Sequence, residues 1–429
     1  MNISNAEAPL AWGGVDCGYL ACKYGTPLYV VDETMVRARC AEVRRDFLER
    51  WPGTSACYAS KAFLTGAMAR VICEEGLGLD LVSGGELALA LRAGFPPQRM
   101  ELHGNAKSEA EMRAALTAGV GRIIVDGVME LAALMEIARE TGRRPDVLLR
   151  VAPGVSPHTH SYLATGQVGS KFGLPIDGPE LRDAVNLALE SEYLRLRGFH
   201  FHVGSQIFEP DCHVEAVKRV AKLAMSLSNR FITEELNFGG GFGVGVGKTP
   251  GDRVALRAFT DAMMEAMTHS FMYFALPTPF VTIEPGRWIV DEAGITLYKV
   301  ETIKRLEGVT YVGVDGGMAD NPRPSLYGAE YVCAPVAPRC APTETVAVVG
   351  KCCESGDVLI RSIEVPELQR GDVLAVFNTG AYNFSMSSRY NRLARPAVVF
   401  VGDGRDELVV GRETEEDVIG RDVIPERLR

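Results

Sequence analysis

TSACYASKAF, residues 54–63, reads as a short apolar strand that reaches a small polar tip at Ser60–Lys61 and then returns to apolar chain. The same cadence continues to about residue 288. Strand patterns follow at LGLDLVS (77–83), RMELHGN (99–105), GRIIVDG (121–127) and DVLLRVAP (146–153), then at LRLRGFHFHVG (194–204), EELNFGGGF (234–242) and FVTIEP (280–285). Between them lie stretches with helical spacing and helix-forming residues, such as ELALALRAGF (86–95) and MEIARETGRR (135–144). Strands alternating with helices predict a parallel sheet, and eight such units in this length fit a (β/α)8 barrel. An open doubly wound sheet would share the alternation, but no G-x-G-x-x-G opens after the first strand.

Beyond residue 290 the texture changes to β-rich segments divided by Pro, Gly and Asp, including ITLYKVETIK, TYVGVDGG, DVLAVFNTG and RPAVVFVG. TPLYVV (26–31) is also strand-like. The expected organisation is an α/β barrel over 34–280 with a second all-β domain, sandwich- or barrel-like, built from 1–33 and 281–429. Composition agrees with a globular protein: 47% hydrophobic and 23% charged residues. A net charge of −10 with no basic run disfavours nucleic acid or an anionic membrane as partner. The start lacks the basic-then-apolar order of a secretory signal, and no apolar run is long enough to span a bilayer. A cytoplasmic protein is expected, and ten scattered cysteines without a C-x-x-C suit that compartment.

In such a barrel the chemistry lies at the carboxyl ends of the strands. The residues expected there are Lys61; Ser83; His103 and Asn105; Asp126; Arg150; His202 and Ser205; Gly239, Gly240 and Gly241; and Glu284 with Arg287. Apolar surroundings desolvate the Lys61 ammonium and suit an imine-forming amine, although a surface lysine at a loop tip has the same sequence. Successive glycines let backbone N–H groups approach a phosphate, or simply make a turn. Gly247-Lys248-Thr249 ends like a Walker A loop, but Phe242 stands where its first glycine belongs. The pairs His158/His160 and His200/His202 lack further ligands at a recognisable spacing, so no metal is expected. Glu284 needs a partner carrying a proton or charge if it is buried; a protonated heterocycle or Arg287 would serve. Lysine for an imine, glycines for a phosphate, a histidine for a stacking face and a carboxylate for a ring nitrogen together describe pyridoxal 5'-phosphate.

YASKAF (58–63), TGQVGSKFG (165–173), HVGSQ (202–206), GGGFG (239–243) and EPGR (284–287) resemble the fold-type III, alanine-racemase-like group-IV decarboxylases. So do DGGMADNPRPSLYGA (315–329), CCESGD (352–357) and GAYNFSMSSRYN (380–391). The resemblance runs from about residue 20 to 415. The last three motifs, with SKFG, are most similar to the branch acting on diaminopimelate. The implied reaction is pyridoxal phosphate-dependent decarboxylation of meso-2,6-diaminopimelate to L-lysine and CO2, the last step of lysine biosynthesis.

The resemblance also implies roles. Lys61 would bond the cofactor, His202 would stack on its ring, Ser205 with Gly239, Gly240 and Gly241 would bind its phosphate, and Glu284 would pair with its ring nitrogen. Arg287, Arg323 and Tyr327 would hold the distal amino-acid head group of the substrate, with Tyr382 near both cofactor and substrate. Cys353 and Glu354 would reach across a homodimer interface, and Cys353 or Lys61 would return a proton to Cα. Trp288, following EPGR where a small residue is common, departs from the family pattern. The alternatives are a decarboxylase of ornithine, lysine or carboxynorspermidine, a cofactor-binding relative without turnover, and a racemase. Arg323 and Tyr327 argue against the amines, and the CESGD and SLYGA segments against a racemase.

Overall fold

The structure is a computed structural model that describes residues 8–155, 170–245, 253–339 and 342–429. The chain forms two compact units. One comprises Arg37–Val244 and Arg253–Ile289; the other comprises the N-terminal segment to Val36, Gly245–Asp252 and Val290–Arg429.

Eight parallel strands make the first unit: Thr54–Ala59, Gly78–Leu81, Met100–Leu102, Arg122–Val125, Asp146–Ala152, Arg195–His200, Glu235–Asn237 and Phe280–Ile283. They are numbered here as barrel strands one to eight. Each pairs with its successor, and strand eight pairs back to strand one with Val281 opposite Thr54, so the ring closes. The expected barrel is therefore present, strand for strand. Its strands read as apolar runs because both faces are covered, one by the barrel interior and one by helices. Leu79, Leu81, Leu102, Leu148 and Leu149 are all buried. The expected border at 280/281 falls inside strand eight. The barrel unit continues to Ile289 because that strand is held between strands seven and one.

Local sequence starts the helices where the strands end. Thr65, Ser83 and Ser108 each accept a hydrogen bond from the backbone N–H three residues on, capping the helices Gly66–Glu74, Gly84–Arg92 and Glu109–Ala118. Ser83, expected among the rim residues for chemistry, thus has a capping role here. Strand six carries the barrel's sharpest constraint. Its register shifts between Leu196 and Gly198, and a Cβ on Gly198 would fall within the van der Waals envelope of the Glu235 carbonyl oxygen. Gly198→Ala is expected to cost roughly 3 kcal/mol and lower the melting temperature by at least about 6 °C. Thermal unfolding of the variant checks this; an unchanged melting temperature would mean that strands six and seven separate at little cost.

The second unit is a sheet whose path runs Val358–Pro366, Thr343–Val349, Val309–Val314, Gly294–Leu306, Leu28–Asp32, Ala397–Gly402 and Arg405–Val410. Val373–Val376 and Cys333–Pro335 branch from Gly294–Leu306. Leu28–Asp32 runs antiparallel to Gly294–Leu306 and parallel to Ala397–Gly402, so the N-terminal strand sits inside a C-terminal sheet, as expected. Alternate residues Leu28, Val30, Ile295, Leu297, Ala397, Val399 and Val401 share one core. The unit is not wholly β. Helix Cys17–Tyr24, capped by Asp16, packs Cys17 and Leu20 into the same core. Among the described residues no helix is long and apolar enough to cross a membrane.

Candidate active site

The polar residues at the carboxyl ends of the barrel strands form a connected cluster. Lys61 lies in the short turn Ser60–Ala62 after strand one, with Nζ 2.7 Å from Oδ2 of the fully buried Asp80 on strand two. The other oxygen of Asp80 lies 3.7 Å from Nε2 of His103, just past strand three. That nitrogen is 3.1 Å from Oε1 of Glu284, after strand eight, and 3.5 Å from Oε2 of Glu101 on strand three. His200, the last residue of strand six, brings Nε2 within 3.3 Å of Glu284 and packs edge-on against the His103 ring. Asn237 ends strand seven. Its amide N–H groups donate to Glu101 and Glu284, each at 2.8 Å, and its carbonyl accepts from Gly239 N–H at 2.9 Å.

The electrostatics follow from burial and these contacts. Burial opposes ionisation of Glu284, but the positive charge of His103 at 3.1 Å, with a hydrogen bond from His200, outweighs it and holds the carboxyl well below its usual range. For His103, burial opposes the cation, but Asp80 and Glu284 overcome it and push the imidazole up to about 9. Burial, with the nearby Glu284 charge, lifts Glu101 to about 7. Burial lowers His200 to about 4. His202 is also held well below the ordinary histidine range, by burial first and then by the charges of Lys61 and Arg150. The cluster therefore sets a cationic His103 beside an ionised Glu284 and a Glu101 that titrates near neutrality, flanked by neutral His200 and His202. Ligand-type atoms of His103, His200 and Glu284 lie within 4.8 Å of one another. A cationic His103 and an amide N–H already on Glu284 Oε1 fit a hydrogen-bonded charge cluster better than a metal site.

Gly239, Gly240 and Gly241 occupy positions that exclude a side chain. A Cβ on Gly239 would lie 2.6 Å from the Phe201 carbonyl, and one on Gly240 or Gly241 would collide with the carbonyl of Glu284 or Gly204. Gly239 and Gly241 also have φ of +67° and +101°, which favour glycine. Their N–H groups are not equally available. Gly239 donates to Asn237 and Gly240 to Nδ1 of His202 at 3.1 Å; only the Gly241 N–H lacks a partner among the described residues. Of the three expected donors, Gly241 is the one whose N–H is open among the described residues. Val244 exchanges two hydrogen bonds with the amide of Gln206, the residue after Ser205. Arg150, stacked over Phe172, lies 3.7 Å from Asp126, which accepts from Gly173 N–H. Trp288 is absorbed structurally. Its indole donates to the Val254 carbonyl, and its ring centre lies 5.8 Å and 5.6 Å from the guanidinium groups of Arg39 and Arg253.

This donor set fits pyridoxal phosphate. Glu284 offers a buried anion to a protonated ring nitrogen, His202 a neutral ring fixed by Gly240, Lys61 an amine, and Gly241 with Ser205 donors for a phosphate. Arg287, buried, opens the short helix Arg287–Val290 beside Glu284 in sequence.

The sheet unit carries the other expected residues. Arg323 and Tyr327 lie on one short helix, Arg323–Tyr327, and the guanidinium of Arg323 sits 5.4 Å from the ring centres of both Tyr327 and Tyr382. Tyr382 holds a left-handed φ of +67°, uncommon for a bulky side chain and frequent at functional sites. Cys353 and Glu354 are exposed, on a loop fastened by Asp357, whose carboxylate accepts from Met318 and Cys352 N–H. Asn391 accepts from Cys353 N–H. His158, His160, the Gly247-Lys248-Thr249 run and most of TGQVGSKFG lie outside the described residues. Sequence reasoning assigned nothing to Asp80, Glu101 or Asn237. For Asp80 and Glu101 a lone acidic residue inside an apolar strand was the available signal; Asn237 follows the polar Glu234 and Glu235 and carried none.

A (β/α)8 barrel with this rim defines a pyridoxal phosphate enzyme of the decarboxylase type. The chain belongs to the pyridoxal-dependent decarboxylases: residues 34–291 match the family described as "Pyridoxal-dependent decarboxylase, pyridoxal binding domain". Its similar relatives include diaminopimelate decarboxylases. That of Bacillus subtilis (strain 168) is 46% identical over 426 residues, covering 98% of this chain and 96% of that protein. That of Bacillus methanolicus is 43% identical over 413 residues, 95% of each. The crystal structure of diaminopimelate decarboxylase from M. jannaschii in complex with L-lysine is 32% identical, with a TM-score of 0.93, covering 99% of this chain and 98% of that one.

Proposed function

We propose that this chain decarboxylates meso-2,6-diaminopimelate to L-lysine and CO2 with pyridoxal 5'-phosphate as cofactor. Beyond the likeness to diaminopimelate decarboxylases, the observation that carries this reading is the unbroken contact path from Lys61 through Asp80 and His103 to Glu284. It places an amine and a buried anion on one rim, as a cofactor with an aldehyde and a basic ring nitrogen requires.

When bound, the cofactor supplies an electron sink for the pair left behind as CO2 departs. Lys61 would hold it at the aldehyde carbon, Glu284 at the ring nitrogen, and Ser205 with the Gly239–Gly241 turn at the phosphate. His202 would cover one ring face. Arg323 suits the distal carboxylate of the substrate because a planar guanidinium binds both oxygens at once, and its two tyrosines fix the guanidinium plane. Arg287 would add a second cation, Glu354 would take the distal ammonium, and Cys353 would deliver a proton to Cα. Exposure of Cys353 and Glu354 suits residues that complete the site of a second copy, so we take the working form to be a cytoplasmic homodimer. Sedimentation at the dimer mass checks the assembly.

CO2 release from meso-diaminopimelate, compared with L-ornithine, L-lysine and carboxynorspermidine, tests the assignment. Release from diaminopimelate alone is expected; release from another amine would discard the Arg323 and Tyr327 roles. Cys353→Ala is expected to lower kcat by about 10²- to 10⁴-fold with cofactor affinity nearly unchanged. Equal loss of both in a cofactor titration would remove Cys353 from the chemistry.

A further inference from the structure

We infer that His103 is a positioning residue that couples the two ends of the cofactor site electrostatically, linking the lysine that takes the aldehyde to the carboxylate that faces the ring nitrogen. The inference deepens the proposed function and rests on it for the identity of the ring.

The geometry is specific to this histidine. Its Nε2 faces three carboxylates at once: Glu284 at 3.1 Å, Glu101 at 3.5 Å and Asp80 at 3.7 Å. They come from strands eight, three and two. Asp80 uses its other oxygen on Lys61, while Asn237 donates to both Glu101 and Glu284. His103 and the three acids are all buried, so solvent screens them weakly. The remaining titratable and charged groups around the cluster are Cys57 on strand one, Glu86 on the helix after strand two, Arg122 on strand four, Arg150 on strand five, His200, edge-on from strand six, with His202 just past it, and Glu235 on strand seven. Among these, the imidazole bridges the carboxylate on Lys61 and the carboxylate at the ring-nitrogen position. The upward shift of His103 to about 9 agrees with a standing positive charge there.

A buried positive charge lowers the proton affinity of every group around it, and removing it raises them all. His103 touches neither substrate nor reacting carbon in this account. It sets the charge felt by Lys61 through Asp80 and by the ring nitrogen through Glu284. Glu101 is the opposing charge, and its removal acts in the opposite sense.

The test is a pH titration of the visible absorbance of the cofactor-loaded protein, which reads protonation of the lysine-bound cofactor without turnover. In His103→Asn the midpoint is expected to rise by about one pH unit or more. Glu101→Gln alone is expected to lower it, and the double variant to return it close to the parent value. The pH profile of kcat/KM is expected to move in the same directions. A midpoint unmoved in a folded His103→Asn protein, or a shift that Glu101→Gln does not reverse, would overturn the inference. If His103→Asn fails to fold, Glu101→Gln alone decides, since an unchanged midpoint there is equally fatal. A second readout uses the cofactor-free protein: the His103 ring, followed by NMR, is expected to remain protonated past pH 8 and to lose affinity for its proton in Glu101→Gln. Titration near the ordinary histidine value would overturn the coupling. Failure to take up pyridoxal phosphate at all, with that NMR result intact, would count against the proposed function and leave the charge cluster standing.

Discussion

Lys61→Ala is expected to lower turnover by about 10⁴-fold or more, the largest effect of any single change in this chain. The Lys61 amine can bond an aldehyde carbon and be released again, whereas the other described rim amine, Lys107, is taken up by Glu130 and the carbonyls of Gly104 and Ile124. Loss of Lys61 also changes Asp80, which would face only His103 from within the barrel. Lys61→Arg separates the two effects. The guanidinium keeps a cation beside Asp80 but cannot form the bond, so this variant is expected to melt near the parent temperature and to be as inactive as the alanine. Borohydride reduction followed by mass analysis of the peptide is the direct check. Cofactor mass retained on Lys61 is expected in the parent and absent in both variants. Substantial turnover in Lys61→Arg would sink the assignment.

Glu284→Gln is the second large effect. The carboxylate is buried and held ionised chiefly by the His103 cation, with hydrogen bonds from the neutral His200 and from Asn237. Glutamine keeps the shape but removes the charge that would stabilise a protonated ring nitrogen, the feature on which electron withdrawal depends. A fall in kcat of about 10²- to 10³-fold is expected, with a smaller loss of cofactor affinity. Removing the anion also takes a counter-charge from His103, so the imidazole is expected to lose part of its raised affinity for a proton. Steady-state kinetics with cofactor titration would separate these losses. A variant with normal kcat and weakened cofactor binding would make Glu284 a holding residue only.

The parts legible in the sequence were those set by short-range pattern. All eight barrel strands could be read because a strand buried on both faces is an apolar run bounded by turn residues, as in LGLDLVS and DVLLRVAP. Lys61, the Gly239–Gly241 turn and Glu284 stood out because unusual residues sit where strands end. Arg323 and Tyr327 lie one helical turn apart and meet as that spacing suggests, whereas Tyr382 joins them only through tertiary folding. Of the inner cluster, only His103 could be read, as a rim residue; its partners could not. Asp80, Glu101, His103 and Asn237 acquire partners only when barrel closure brings strands two, three, seven and eight together. Ser83 was open to misreading because a helix cap and a rim residue follow a strand in the same way. The donor count of the glycine turn was also hidden, because two of its N–H groups are engaged by side chains of Asn237 and His202.

The strand Leu28–Asp32 has a consequence for how the protein is made. It precedes every barrel strand, yet its two neighbours in the sheet, Gly294–Leu306 and Ala397–Gly402, lie beyond all of them. During vectorial synthesis the barrel strands, all complete by Ile283, can find one another while Leu28–Asp32 still has two open edges. The sheet around Leu28–Asp32 is therefore expected to close only once Ala397–Gly402 has emerged, and its long-range pairings make it the slower unit to form. A message cut short just before Ala397 would yield a barrel with its strands in place and an N-terminal strand left open on one side, a species for chaperones to hold or proteases to remove.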